Sequence, residues 1–188
     1  MMKAKLIQKI REFQPCNEQE ATDKATFLTL LAEDSDISHR DNLVAHLTAS
    51  AWVVNLERTR VLMAYHNLYD SWAWLGGHAD GDFDLAAVAE KEAREEAGLQ
   101  DVKLVSDDIL SLEVLTVDGH EKKGKYVPCH LHLNCTYLLE ADPSAPIRAK
   151  EDENSQVGWI DFHDIGSKST EPWFIERIYS KLCMKSSK

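Results

Sequence analysis

Apolar and polar positions change rhythm along this chain, and each change predicts an element. Residues 3–13 repeat at helical spacing and stop near Pro15, whose ring does not fit a helix interior. "NEQEATDKATFLTLLAE" follows, with Asn17 as N-cap, Glu20 three residues on, and Ala21, Ala25, Leu28 and Leu31 as one apolar stripe. After the turn-rich "DSDISHRDN", the texture from Val44 becomes that of strands: "VAHLTASAWVVN", then "RVLMAY" beyond the turn "LERTR". A loop and a charged helix occupy Trp74 to Leu99. "VKLV", "ILSLEVLTVDG", "YVPCHLHLNCTYLLEA" and "VGWIDF" supply further strands. Thr170, with Pro172 just inside, opens a last helix in which Phe174, Ile178 and Leu182 recur every fourth residue.

Helices at both ends and in the middle of a strand-rich chain predict an α/β fold, a mixed sheet covered on two sides. No internal repeat or low-complexity linker divides it, and "ADPSAP" is a turn between elements. The expected organisation is a helical extension over residues 1–40 and one compact unit over 41–188.

Composition narrows the function. With 188 residues, 44% hydrophobic and 28% charged, the chain has enough apolar material for a folded core. A net charge of −11 argues against a nucleic-acid polymer as partner, because no basic run supplies phosphate contacts. Cys16, Cys129, Cys135 and Cys183 are scattered and form no CxxC, so they read as reduced thiols. The basic N-terminus lacks the apolar core of a signal peptide, and no segment approaches a membrane span. The expected location is cytoplasmic, without membrane attachment.

The densest chemistry lies in "WLGGHADGDFDLAAVAEKEAREEAGL". Asp84 is a good N-cap and Gly98 a good terminator. Between them Glu92, Glu95 and Glu96 stand at i, i+3 and i+4, on one polar helix face. Like charges at that spacing cost roughly 0.2–0.5 kcal/mol per pair, and a hard dication between them reverses the sign. A solvated surface helix is the competing reading, with Lys91 and Arg94 offsetting the carboxylates.

The register of the glycine pair Gly76–Gly77, the glutamates and Gly98 resembles the box of the Nudix hydrolases, G-x5-E-x7-R-E-U-x-E-E-x-G-U with U aliphatic. With Gly77 first, Glu92, Ala93, Glu95, Glu96, Gly98 and Leu99 fall on the family's positions. Phe83 stands where the first glutamate belongs, flanked by Asp82 and Asp84, and Lys91 replaces the arginine. The resemblance covers roughly residues 44–165. It implies the Nudix fold, an α/β/α sandwich, here preceded by the N-terminal helices. It also implies Mg²⁺-dependent cleavage, with Mn²⁺ as substitute, of a diphosphate linkage in a small organic substrate such as a nucleoside diphosphate joined to another moiety.

The same resemblance assigns Glu92 and Glu96 as metal ligands, Glu95 as ligand or base, and the Gly77 carbonyl as a further ligand. The loop before the closing strand contributes an extra glutamate in many members; Glu153 is the first choice here and Glu151 the second. His78, Trp72 and Trp74 are candidate substrate contacts, with turn capping or core packing as their competing roles. His130 and His132 share a strand face, but no cysteine or third histidine stands at a recognisable zinc spacing. Hydrogen bonding or pocket lining is therefore the expected role of that pair. The competing function is a nucleotide-binding sensor with weak catalysis, the box having lost a carboxylate at Phe83. Monomer and homodimer are both open.

Overall fold

The computed structural model describes residues 1–33, 36–67, 69–122, 124–150 and 154–187. Its spine is a parallel pair, β1 (Ala45–Val54) and β9 (His130–Ala141), in register from Ala45 beside Leu131 to Val54 beside Glu140. Every residue of β1 is buried, as a strand covered on both faces requires. β2 (Arg60–His66), β3 (Ser71–Ala73), β4 (Leu75–His78), β5 (Val102–Leu104), β6 (Ser111–Val117) and β10 (Asn154–Asp161) complete an eight-stranded sheet, all by antiparallel pairing. A separate hairpin joins β7 (His120–Lys122) to β8 (Lys125–Val127) and turns at Gly124, where φ is +73°. That conformation suits glycine.

Strand alternation sorts the two cores. Leu47, Ala49, Ala51 and Val53 of β1 and Leu133, Cys135, Tyr137 and Leu139 of β9 enter the main core, closed by α1 (Met2–Glu12), α2 (Glu18–Ala32) and α3 (Leu85–Ala97). Trp52 and Val54 point the other way, into a second core with Ile178, Tyr179 and Leu182. Those three lie on the C-terminal helical run: α5 (Pro172–Phe174), a π-helical turn Ile175–Tyr179, and α6 (Ser180–Ser186). The short α4 (Ile165–Lys168) precedes it. Helices thus cover both faces of a mixed sheet, as an α/β/α sandwich demands. No helix among the described residues is long and apolar enough to cross a membrane.

Two local readings change. The strand read through "YVPCHLHLNCTYLLEA" breaks at Pro128 and Cys129 into β8 and β9, because proline has no N–H for a ladder. In α2 the buried residues are Glu20, Phe27 and Leu31, while Ala21 and Ala25 are exposed. Asn17 does cap the helix, accepting from the Glu20 N–H at 2.9 Å. Glu20 itself turns inward because α6 supplies cations: Lys185 Nζ lies 2.6 Å and Lys181 Nζ 3.3 Å from its Oε1. Lys181 also meets Glu113 of β6 at 3.1 Å. Burial by itself raises the Glu20 carboxyl, but the Lys185 hydrogen bond, the Cys16 N–H and both lysine charges outweigh it and hold the pKa at about 2.

Candidate active site

β4 lies between β1 and α3, and its two glycines permit that approach. β4 pairs with β1 through Ser50 opposite Gly76 and Ala49 opposite Gly77. A Cβ at Gly76 would stand 2.6 Å from the Ala49 carbonyl oxygen, whereas one at Gly77 would stand 2.5 Å from the carboxyl carbon of Glu92. One glycine thus admits the neighbouring strand and the other admits a helix carboxylate.

α3 begins and ends where its sequence indicates. The Asp84 side chain accepts from the Ala87 N–H, and Gly98 closes the helix at φ +65°. The three glutamates of its inner face are not equivalent. Glu96 is only 6% exposed. Its Oε2 accepts from the Gly76 N–H at 2.9 Å, and its Oε1 from Asn154 Nδ2 at 3.2 Å. The side chain of Glu92 is 12% exposed and that of Glu95 47%, with Lys91 Nζ 3.8 Å from an oxygen of each. The polar face read from helical spacing is therefore graded: β4 meets Glu92 at Gly77 and Glu96 at Gly76, the start of β10 adds Asn154 at Glu96, and Glu95 is left the most open. Asn154, not singled out in the sequence, is buried there as a hydrogen-bonding partner. Glu151 and Glu153 lie outside the described residues.

The aspartates of the preceding loop are committed locally. Asp80 accepts from Arg40 Nε at 2.7 Å and from a second Arg40 nitrogen, and this hydrogen bonding holds its carboxyl below the usual range. Asp82 accepts from the Asp84 N–H at 2.8 Å, and Asp84 caps α3. Phe83 packs against the main core and lines a small cavity with Leu6, Leu85 and Tyr137.

On the opposite face of β4 the structure assembles imidazoles. His132 lies beside His46 in the β1–β9 register, and His78 is opposite Thr48. The His46 ring centroid is 5.1 Å from that of His78 and 4.8 Å from those of His130 and His132. His130 Nδ1 bonds the Pro128 carbonyl at 2.8 Å and His46 Nδ1 the Asn42 carbonyl at 3.0 Å. The expected hydrogen-bonded role of the H-x-H pair holds for His130, but a third histidine does stand beside the pair. It comes from β1, and sequence spacing carries no trace of a parallel pairing between distant strands.

The NUDIX domain family model matches residues 44–182. The chain belongs to the Nudix family. Membership carries the enzymatic class, pyrophosphohydrolase. No curated protein matches the sequence. Among solved structures, a Nudix hydrolase from Clostridium perfringens has 19% identity and a TM-score of 0.52, covering 74% of this chain and 97% of its own. A C. elegans Ap4A hydrolase has 18% identity and a TM-score of 0.53, over 75% and 94%. The E. coli dihydroneopterin triphosphate pyrophosphohydrolase has 13% identity and a TM-score of 0.52, over 71% and 92%. At those identities the likeness is one of fold.

Within the Nudix frame the departures acquire causes. Phe83 replaces the first box glutamate at the point where α1 reaches the box loop, and it is used for packing. Lys91 keeps a positive charge near Glu92 and Glu95 without arginine's fork. Trp72 and Trp74 both pack on the second core, Trp74 edge-on to Phe174 and Tyr179. His78 faces the imidazole group on the side of β4 away from Glu92.

Proposed function

We propose that this Nudix hydrolase cleaves a diphosphate linkage in a small organic pyrophosphate, a nucleoside diphosphate joined to another moiety, at the carboxylates of α3. The observation that carries this reading is the seating of α3 on the glycine pair, with Glu96 bonded to the Gly76 N–H and Glu92 filling the space that a Gly77 side chain would take. Glu92, Glu95 and Glu96 offer hard oxygen ligands of the kind Mg²⁺ prefers along one face of α3, so the residue types fit the cation on which family members generally depend. Glu92, Glu95, Glu96 and the Gly77 carbonyl would hold it, and Mn²⁺ would substitute. A dication there supplies neutralisation of the diphosphate charge and polarisation of the phosphorus under attack.

The chain's own groups divide the remaining work. Glu96 is fixed by Gly76 and Asn154 and keeps its place through the reaction. Glu95, the most exposed of the three, can accept the proton of the attacking water. Glu153, assigned by the family resemblance, is the second candidate base. His78, Trp72 and Trp74, the substrate contacts expected from the sequence, lie on the far side of β4 or against the second core, so a contact from them would be to the moiety beyond the diphosphate. The solved relatives named for Ap4A and for dihydroneopterin triphosphate act on phosphoanhydrides, which supports the substrate class without fixing the compound. The four cysteines are unpaired, which suits a reducing, cytoplasmic setting.

The test is a Mg²⁺-dependent hydrolysis screen over nucleoside triphosphates, sugar nucleotides, dinucleoside polyphosphates and ADP-ribose. The expected result is turnover of at least one class, reduced by about a hundredfold or more in Glu95→Gln or in Glu153→Gln, whichever removes the base. Tight binding with no turnover of any compound would overturn the reading in favour of a nucleotide sensor.

A further inference from the structure

The imidazole group on the far side of β4 has a property that packing does not explain. His46 is 3% exposed, and its Nε2 has no hydrogen-bond partner among the described residues. Because Nδ1 must donate its proton to the Asn42 carbonyl, Nε2 carries a lone pair. The same logic applies to His130, whose Nδ1 donates to the Pro128 carbonyl and leaves a lone pair on Nε2. That nitrogen stands 3.2 Å from Nε2 of His132. One N–H from His132 can satisfy one of these lone pairs and not both.

We propose that His46, His130 and His132 form a binding site for a transition-metal dication of the Zn²⁺ class, separate from the carboxylates of the Nudix box. One nitrogen from each histidine can be chosen so that all three lie within 4.8 Å of one another. Two nitrogens bound at about 2.0–2.1 Å in a tetrahedral arrangement stand about 3.3 Å apart, which the His130–His132 pair nearly matches. The backbone carbonyls of Asn42 and Pro128 act as orienting partners: a ligating imidazole ordinarily gives its other N–H to a carbonyl or carboxylate, fixing the tautomer.

Burial, then the neighbouring imidazoles, holds the His132 pKa down at about 2. Burial chiefly lowers that of His46, with the charge of His130 adding to it. Both rings are therefore neutral at pH 7 and available as ligands. Imidazoles select borderline metals, whereas Mg²⁺ prefers oxygen. His78, with its ring 5.0 Å from His132, is the nearest further imidazole. Three protein nitrogens leave a fourth coordination position open to water or an anionic group. The site depends on neither the proposed substrate nor the proposed box ligands.

The experiment is a calorimetric titration of Zn²⁺ alone into chelator-stripped full-length protein carrying no polyhistidine tag, paired with the visible spectrum of the Co²⁺-loaded protein. The expected result is one tight equivalent of Zn²⁺, weakened at least about tenfold in His132→Gln and His46→Gln and unchanged in Cys129→Ser, any further uptake at the box carboxylates being weaker. Co²⁺ should give the intense visible bands of a four-coordinate nitrogen site. The spectrum is read on the wild-type protein, so it decides even if His46→Gln does not fold. Three outcomes would overturn the proposal: no tight Zn²⁺ equivalent, which would leave a water as the partner of His46; a tight equivalent that survives His132→Gln; or a weak six-coordinate Co²⁺ spectrum.

Discussion

Gly77 and Glu92 test the site most locally. A methyl group at residue 77 would meet the Glu92 carboxyl carbon at 2.5 Å, the far end of a flexible side chain, which shifts more cheaply than backbone. Gly77→Ala is expected to lower Mg²⁺-dependent turnover by about a hundredfold, the usual penalty for misplacing a reacting group by an ångström, while its melting temperature stays near wild type. Phe83→Glu should behave in the opposite way. It restores the box residue by sequence but puts a charge against Leu6 and Tyr137, costing about 1–3 kcal/mol in chemical denaturation. The glutamate positions were legible because helical spacing fixes a face. Phe83's role was not, since its partners come from α1 and β9, far away in the chain. The same reason hid Asn154, which reads as one more polar residue in "KEDEN" until β10 is set against α3.

At the scale of elements, caps and breaks were readable and faces less so. Asn17, Asp84, Gly98 and Pro172 each act where short-range rules place them. The inward turn of α2 depends instead on two lysines from α6, which no local pattern announces. That network has a pH signature. Glu20 is depressed to about 2 when folded, from an ordinary value of 4.5. Its contribution is therefore fully present above pH 4.5 and lost as pH falls from 4.5 towards 2. Urea denaturation across that window should show stability falling by on the order of 3 kcal/mol, and Glu20→Gln should flatten the slope there. Lys181→Met is expected to cost about 3–5 kcal/mol at neutral pH, because it leaves Glu113 buried without its cation.

For the whole molecule, the α/β class and the mixed sheet were visible in the alternation of strands and helices, but the parallel β1–β9 pairing that gathers the histidines was not. We propose that residues 1–40 are an integral extension of the catalytic unit. Leu6, Ile10, Phe27 and Leu31 lie in the same core as β1 and α3, so Ile10→Ala should cost about 2–5 kcal/mol, and a chain starting at residue 41 should melt at a lower temperature than the full one. The central claim remains that one turn of α3, seated on two glycines, holds the dication that makes a diphosphate bond cleavable. Its most direct test is a Mn²⁺ titration of wild-type and Glu92→Gln protein, followed by the relaxation rate of solvent water protons. Wild-type protein should enhance the relaxation saturably and Glu92→Gln should lose most of that enhancement while remaining folded. Equal enhancement in the two proteins would contradict the claim.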